Sequence, residues 1–480
     1  MSDSFLFYDL ETFGQDPRRT RIAQFAAIRT DAELNQIEEP HEFYVQPADD
    51  LLPSPVATLI TGITPQHAQH YGVVEAEAFA RIAELMAEPG TCCLGYNSIR
   101  FDDEFIRFGL YRNFHDAYER EWKNGNSRWD LLDVTRLVHA LRPDGIRWRP
   151  REDDGGTSFK LEHLAEDNGL RDGDAHEALS DVRATLGLAR MLRASQPRLW
   201  DYALRLRDKR HVADLIDPIR PRPLLHVSQR YPASRLCAAP VLPLTRHPEF
   251  DGRVIVFDLA SDPRQLFDHD ADAIAARLFV ASDALPEGVE RIALKEVHLN
   301  RSPMLVQWEH LRDPDFQRLM IDPQQVIANA DRLRKAGPAL AEKIRQVYAR
   351  AREFAPNDVD GALYDHFIPD SDKRMFPLLR GTPPQRLRAE DFPFRDPRLG
   401  ELLFRYRARN WPQTLSFAEQ ERWNELRRVR MEEPGLGEYT LQSYRDEIAT
   451  LRHQHPDASE TLTRLDALQN WGDRIESSLP

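Results

Sequence analysis

The stretch Ser4–Thr12, SFLFYDLET, organises the first part of the chain. Residues 5–8 form an apolar and aromatic run of strand length, which predicts a buried strand. Asp9 and Glu11 follow two residues apart, and because strand side chains alternate between faces, both carboxylates project on the same side. A divalent cation between them would turn their repulsion into ligation, and oxygen ligands suit Mg²⁺ or Mn²⁺. The alternative is a surface strand that ends in two solvated acids.

Length and composition limit the class of protein. The 480 residues suffice for about three domains, and 41% hydrophobic with 30% charged residues is typical of a folded globular protein. The sequence contains no apolar run long enough for a membrane span, and its first residues do not resemble an export signal. Three cysteines (Cys92, Cys93 and Cys237) give neither a disulfide framework nor a spaced zinc motif. We therefore expect a cytoplasmic protein with no membrane contact.

The net charge of −14 opposes a polyanionic partner at long range. Binding, however, depends on the local field in a groove rather than on the total charge. An enzyme of nucleic acids with this composition would have to concentrate its arginines.

Strands and helices alternate over the first 190 residues. After the first strand we expect strands at residues 22–29, 41–45 and 92–96 and a helix at residues 75–87, which together favour an α/β layer fold. Asp102 follows the last of these strands at a helix start, where its carboxylate can reach the sheet edge at which Asp9 and Glu11 end. The alternative is that Asp102 is simply an acid at a helix start, where the helix dipole stabilises negative charge.

His176 and Asp181 precede and begin a further amphipathic pattern over residues 178–192. Five residues on an ideal helix separate two side chains by well over a right angle. Both can face one site only if His176 lies before the helix proper.

Basic and aromatic residues interleave between residues 107 and 136. Aromatic faces stack on bases and cations hold phosphates, so this composition fits a surface for a single strand of nucleic acid. The alternative is that most of these aromatics belong to a core. Candidate contacts are Arg107, Arg136 and the nearby Lys160 for phosphates, and Tyr118 and Trp122 for stacking.

The motifs together resemble the DEDD exonuclease superfamily in its histidine subclass. Asp9-Leu10-Glu11, residues 97–105 and His176-x₄-Asp181 match its three motifs in order. Residues 8–14, 22–31, 100–104, 126–133 and 404–410 are further similar to the bacterial exonuclease I family. The resemblance covers almost the whole chain and is most specific in its first 190 residues.

The resemblance implies three domains. We expect a ribonuclease H-like α/β exonuclease domain with a mixed sheet at residues 1–195. An SH3-like β-barrel domain with a helical extension would follow at 196–352, and an α-helical C-terminal domain at 353–480. The later sequence agrees, with a Pro-rich linker near 218–223, short strands at 224–227, 254–259, 294–299 and 304–307, and helices at 323–354, 402–409 and 417–431.

The family also implies a function. The resemblance implies a 3′→5′ exonuclease that degrades single-stranded DNA processively to 5′-mononucleotides and acts in DNA repair and recombination. Two Mg²⁺ ions (Mn²⁺ as a substitute), about 4 Å apart in such sites, would be held by Asp9, Glu11, Asp102 and Asp181, with Glu11 also near the substrate. His176 would take the proton of the attacking water.

The resemblance also implies an oligomeric state and a protein partner. The family suggests a monomer that docks the acidic C-terminal tail of single-stranded DNA-binding protein, for which residues 220–222 offer basic surface. Arg405, Arg407 and Arg409 would either line a passage for the strand or pack internally against acids. Two other functions stay open: an exonuclease that trims single-stranded RNA, and a non-catalytic single-strand binding protein.

Overall fold

The computed structural model describes residues 4–170, 177–281, 284–349 and 357–480. The chain divides into two compact units. The first unit comprises Met1–Ser127, Arg171–Leu186 and Ala355–Pro480, and the second comprises Arg128–Leu170 and Gly187–Phe354. The division into three domains at residues 195 and 352 stays a prediction.

Ten strands are assigned among the described residues. They are β1 (Ser4–Thr12), β2 (Ile22–Thr30), β3 (His41–Tyr44), β4 (Thr91–Gly95), β5 (Ser127–Asp130), β6 (Leu224–Val227), β7 (Ala238–Arg246), β8 (Arg253–Asp258), β9 (Leu294–His298) and β10 (Met304–Gln307).

Nineteen α-helices are assigned in the same ranges. In the first half of the chain they are α1 (Pro55–Thr61), α2 (Pro65–Tyr71), α3 (Glu75–Ala87), α4 (Asp102–Arg112), α5 (Leu131–Leu141), α6 (Leu161–Asp167), α7 (Ala178–Ser195), α8 (Pro197–Arg205) and α9 (Lys209–Leu215). In the second half they are α10 (Arg264–Asp268), α11 (Ala271–Leu278), α12 (Asp313–Arg318), α13 (Pro323–Tyr348), α14 (Asp370–Lys373), α15 (Phe376–Gly381), α16 (Arg398–Asn410), α17 (Phe417–Glu432), α18 (Leu441–Gln454) and α19 (Ser459–Ser477).

The first sheet has the strand order β3-β2-β1-β4-β5. β1 pairs antiparallel with β2 and parallel with β4, and β2 pairs antiparallel with β3. The mixed sheet expected for a ribonuclease H-like domain is confirmed, and β1 lies at its centre. A central strand has paired neighbours on both sides, so its side chains are held in place.

The two faces of β1 serve different purposes. Leu6, Tyr8 and Leu10 project to a core that contains Phe79 and Ile82 of α3 and apolar residues of α4. Because side chains alternate along a strand, Asp9 and Glu11 project to the other face. One face of β1 therefore anchors the sheet, and the other presents the carboxylates.

The C-terminal helices belong to the first unit, and their arginines decide between two readings of the sequence. Arg405 donates to Asp358 and Asp360, and Arg409 donates to Asp50 and Asp360, and both arginine side chains are at most 10% exposed. Arg407 binds the carbonyl of Leu387 and the carboxylate of Glu419. The three arginines therefore pack internally, which is the second of the two alternatives, and they do not line a passage for a nucleic acid strand.

The second unit contains an antiparallel sheet of order β10-β6-β7-β8-β9. Its core joins the strands to α11 and α13. The sequence predicts β6, β8, β9 and β10 but misses the central strand β7, which contains Pro240 and Pro243. Proline cannot donate to a ladder and normally argues against a central strand. Here the β7–β8 register shifts beside Pro243, which accommodates the missing donor.

The helix predicted at residues 323–354 is observed as α13 up to Tyr348, with a kink at Gly337 (φ 54°) before Pro338. Among the described residues, no helix combines the length and the apolar character needed to cross a membrane.

Candidate active site

Three carboxylates meet at the end of β1. Asp9, Glu11 and Asp181 each place one ligand oxygen so that all three lie within 4.8 Å of one another. Asp9 and Glu11 come from β1, and Asp181 comes from the first turn of α7. The structure therefore brings together acids that are separated by 170 residues in the sequence.

The electrostatics of this cluster favour a bound cation. Burial and the charge of Asp181 raise the pKa of Asp9 well above its ordinary range. Burial, followed by the charges of Asp9 and Asp181, raises the pKa of Glu11 to about 9. Carboxylates this close raise one another's pKa by repulsion, and a hard divalent cation bound by oxygen ligands would relieve that repulsion. The donor set thus fits a divalent metal ion.

Asp102 is the first residue of α4 and is only 4% exposed. It is not among the three grouped carboxylates, and α4 packs against the core face of β1 through Phe105, Ile106 and Leu110. β4 runs parallel to β1, so α4 begins at the same edge of the sheet at which β1 ends. The role of Asp102 as a fourth metal ligand stays a prediction.

The start of α4 is tied to β1 by a buried network. The Tyr8 hydroxyl donates to Asp103 at 2.7 Å, and Arg120 donates to the same carboxylate oxygen at 2.6 Å. Burial, and then the charge of Asp103, raises the pKa of Tyr8 well above its ordinary range, so it remains a donor. The sequence pattern points to Asp102 but not to the neighbouring Asp103, which fixes the turn that carries Asp102.

His176 lies outside the described residues. The first described residue after it is Glu177, and α7 begins at Ala178. Its role as general base stays a prediction.

Arg107, Tyr118 and Trp122 lie in the first unit. The Arg107 guanidinium is buried and donates to Glu121 at 2.7 and 2.9 Å, to Glu104 at 3.0 Å and to the Tyr364 hydroxyl at 3.1 Å. It also lies over the ring of Tyr118. Trp122 is 65% exposed, so its ring can be reached from solvent. Of these three residues, Trp122 offers the most accessible contact for a base.

Arg136 and Lys160 lie in the second unit. Arg136 is buried and donates to Asp133 at 3.0 Å and to Gln229 at 3.3 Å. The Lys160 side chain is 69% exposed and pairs with Glu162 at 3.2 Å. Lys160 is accessible to a phosphate, whereas Arg136 would first have to leave its partners. Phosphate contacts at Arg107, Arg136 and Lys160 stay predictions.

Comparison with known proteins shows the family of the chain. The profile of the family described as Exonuclease matches residues 6–189. Profiles described as Exonuclease I SH3-like domain and Exonuclease I C-terminal domain match residues 207–350 and 357–475. Exodeoxyribonuclease I of Escherichia coli K12 is 46% identical over 98% of both chains. The chain belongs to the exonuclease I family.

Solved structures agree with this family over the whole fold. The crystal structure of E. coli Exonuclease I in complex with a dA16 oligonucleotide has a TM-score of 0.94 at 46% identity, covering 98% of this chain and 100% of that one. The zinc-ion-bound form of the E. coli ExoI–ssDNA complex has a TM-score of 0.92 at 44% identity, covering 99% and 100%. The fold class expected from the sequence, an exonuclease domain with SH3-like and C-terminal domains, is confirmed.

Proposed function

We propose that this chain is a 3′→5′ exonuclease that hydrolyses single-stranded DNA to 5′-mononucleotides and serves DNA repair and recombination. The observation that carries the proposal is the group formed by Asp9, Glu11 and Asp181 at the end of the central strand. Membership of the exonuclease I family over nearly the full length supports DNA as the substrate.

The reaction would use two divalent ions, Mg²⁺ with Mn²⁺ as a substitute. When bound, the ions would supply the positive charge that stabilises the attacking and leaving oxygens of the phosphodiester. Asp9, Glu11 and Asp181 would hold them with Asp102 as the fourth ligand, and the three grouped carboxylates already share one small volume.

His176 would accept the proton of the attacking water, because imidazole titrates near neutral pH. Replacing His176 by alanine should lower turnover about a hundredfold to ten-thousandfold. It should also remove the acidic limb of the pH–rate profile. An unchanged limb would contradict this role.

Cleavage of matched oligomers tests the proposed substrate. A 20-nucleotide DNA and the RNA of the same sequence, each labelled at the 5′ end, would be incubated with the full chain with Mg²⁺ or with EDTA. We expect shortening of the DNA from its 3′ end in Mg²⁺ only. Faster shortening of the RNA would favour an RNA-trimming exonuclease. Binding of DNA without cleavage in either Mg²⁺ or Mn²⁺ would favour a non-catalytic binding protein.

A partner is proposed on the second unit. The acidic C-terminal tail of single-stranded DNA-binding protein would dock at Arg220 and Arg222, which are both exposed between α9 and β6. A groove of about 870 Å³ adjoins them, with an apolar floor and Arg246, Arg334 and Arg345 in its lining. Titration of a tail peptide at low salt should give binding that Arg220→Glu with Arg222→Glu weakens. Equal binding by wild type and variant would exclude this surface.

The chain would act as a monomer in the cytoplasm. All three grouped carboxylates come from one chain, so building the metal site requires no second copy. Sedimentation of the chain at micromolar concentration with a dA16 strand should give one protein per complex. A two-protein complex would contradict the proposed state.

A further inference from the structure

The loop that follows the metal-ligand strand is held by the C-terminal part of the chain. This β1–β2 loop, residues 13–21, leaves β1 two residues after Glu11 and returns to the sheet at Ile22. The carboxylate of Glu438, between α17 and α18, accepts hydrogen bonds from the backbone N–H of Gln15 at 3.0 and 3.2 Å. A carboxylate bound to a backbone amide makes one of the stronger types of hydrogen bond.

Gly14 is what allows this contact. A Cβ atom at Gly14 would lie only 1.9 Å from Oε2 of Glu438 and 2.6 Å from its carboxyl carbon. The backbone of Gly14 does not have a positive φ, so the close approach of the carboxylate, rather than the conformation, requires glycine. Gly14 and Glu438 thus form one matched contact across more than 400 residues of sequence.

The loop reaches Glu11 through an irregularity of the sheet. Glu11 pairs with Gln24, but the next residue, Thr12, pairs with Ile22, so one residue of β2 is left over beside the metal ligand. Such bulges re-aim the adjacent side chains and depend on the chain that enters and leaves them. The loop therefore enters β2 directly beside the irregularity that adjoins Glu11.

We propose that Glu438 is a positioning residue that holds the β1–β2 loop and thereby keeps Glu11 in the geometry that binds the divalent cation. The inference rests on the proposed function, because it assumes the metal site of Asp9, Glu11 and Asp181. Without the contact, the Glu11 side chain is no longer held in the geometry that binds a cation, and the site must be reassembled each time a cation binds. Metal affinity should fall about tenfold, which is the lower end of the loss seen when a residue that positions a metal ligand is removed.

Mn²⁺ binding to the full chain tests the inference directly, read by electron paramagnetic resonance of the free ion in the absence of DNA. Glu438→Ala should weaken Mn²⁺ binding about tenfold. Glu438→Gln should retain most of the affinity, because its amide oxygen can still accept from the Gln15 N–H. Glu433→Ala is the matched control, since Glu433 is exposed in the same segment, and it should bind Mn²⁺ like wild type.

The cycle of Gly14→Ala, Glu438→Ala and the double variant separates this contact from a general loss of stability. The added Cβ displaces the carboxylate, so Gly14→Ala should weaken Mn²⁺ binding as Glu438→Ala does. The double variant should be no weaker than the weaker single variant, because both remove one interaction. Multiplying effects, or Glu438→Ala within twofold of wild type, would overturn the inference. If Glu438→Ala fails to fold, Gly14→Ala and Glu438→Gln replace it as the test. A Mn²⁺ affinity of Gly14→Ala within twofold of wild type would overturn the inference. A Mn²⁺ affinity of Glu438→Gln as low as that of Gly14→Ala would also overturn it.

Asp9→Asn distinguishes failure of the inference from failure of the proposed function. If wild type binds Mn²⁺ and Asp9→Asn does not, the metal site stands, and the Glu438 variants judge only the positioning role. If Asp9→Asn binds Mn²⁺ like wild type, the proposed metal site fails, and the inference fails with it.

Discussion

Replacing Arg409 by alanine should destabilise the protein and leave binding of a DNA strand unchanged. The Arg409 side chain is 3% exposed and donates to Asp50 at 2.7 and 3.1 Å and to both carboxylate oxygens of Asp360 at 2.6 Å. Burial alone would raise the pKa of Asp50 and of Asp360, yet Arg409 and its neighbouring arginines lower both below their ordinary values. Both acids are therefore charged at neutral pH, and Arg409 contributes the most to their compensation, beside Arg405, Arg430 and Arg21.

The expected loss follows from the charges left behind. Removing one partner of a buried ion pair costs about 3–5 kcal/mol, because the remaining charge stays in a poorly solvated site. Urea unfolding followed by tryptophan fluorescence would measure this loss. Arg445→Ala is the matched control, since Arg445 pairs with Glu476 and Asp473 at the surface and its loss should cost less than about 1 kcal/mol.

Two outcomes would refute this reasoning. A loss below about 1 kcal/mol for Arg409→Ala would show that the cluster is not a buried ion network. A reduced salt dependence of DNA binding with unchanged stability would show that Arg409 contacts phosphates instead.

Three further predictions concern packing, the metal site and strand contacts. Gly109→Ala should lower the free energy of unfolding by about 1–3 kcal/mol or more, because the new Cβ would lie 1.8 Å from the Phe79 ring. Gly400→Ala is the control, because its Cβ would meet nothing within 4 Å, and it should be neutral or stabilising. Equal unfolding midpoints for the two variants would contradict this. The pKa of Glu11 is raised to about 9, so its carboxyl holds a proton at neutral pH, and a metal ion that binds there must displace that proton. Metal affinity should therefore rise between pH 6 and 9. Calorimetry in buffers of different ionisation heat that finds no proton release would exclude this. Trp122→Ala should weaken binding of single-stranded DNA by about 1–3 kcal/mol in fluorescence titrations if bases stack on its exposed ring, and an unchanged affinity would remove Trp122 from the strand contacts.

The elements of the exonuclease domain could be predicted where local patterns and tertiary structure agree. α3 is observed with its predicted bounds, Glu75–Ala87. Thr64 caps α2 with Pro65 at its first position, a combination typical of helix starts. β7 was missed because two prolines hide a central strand whose neighbours tolerate the missing donors. No local signal reveals such a tolerance.

The candidate site was predictable to a similar extent. A spacing of two along a strand correctly places Asp9 and Glu11 together, and the order of motifs adds Asp181. Composition could not tell that Arg107, Arg405 and Arg409 are already paired, because pairing depends on acids far away in sequence such as Glu121, Asp358 and Asp360. Glu438 was missed for the same reason, since its partner Gln15 lies 423 residues away.

We propose that Asp9, Glu11 and Asp181 form the metal site of an exonuclease that acts on single-stranded DNA. Single-turnover cleavage of a 5′-labelled DNA strand by Asp181→Ala in Mg²⁺ tests it most directly, with binding of the same strand measured in EDTA. We expect no detectable shortening of the strand and an affinity within about threefold of wild type, because phosphate contacts would come from other residues. Shortening at a rate near that of wild type would contradict it.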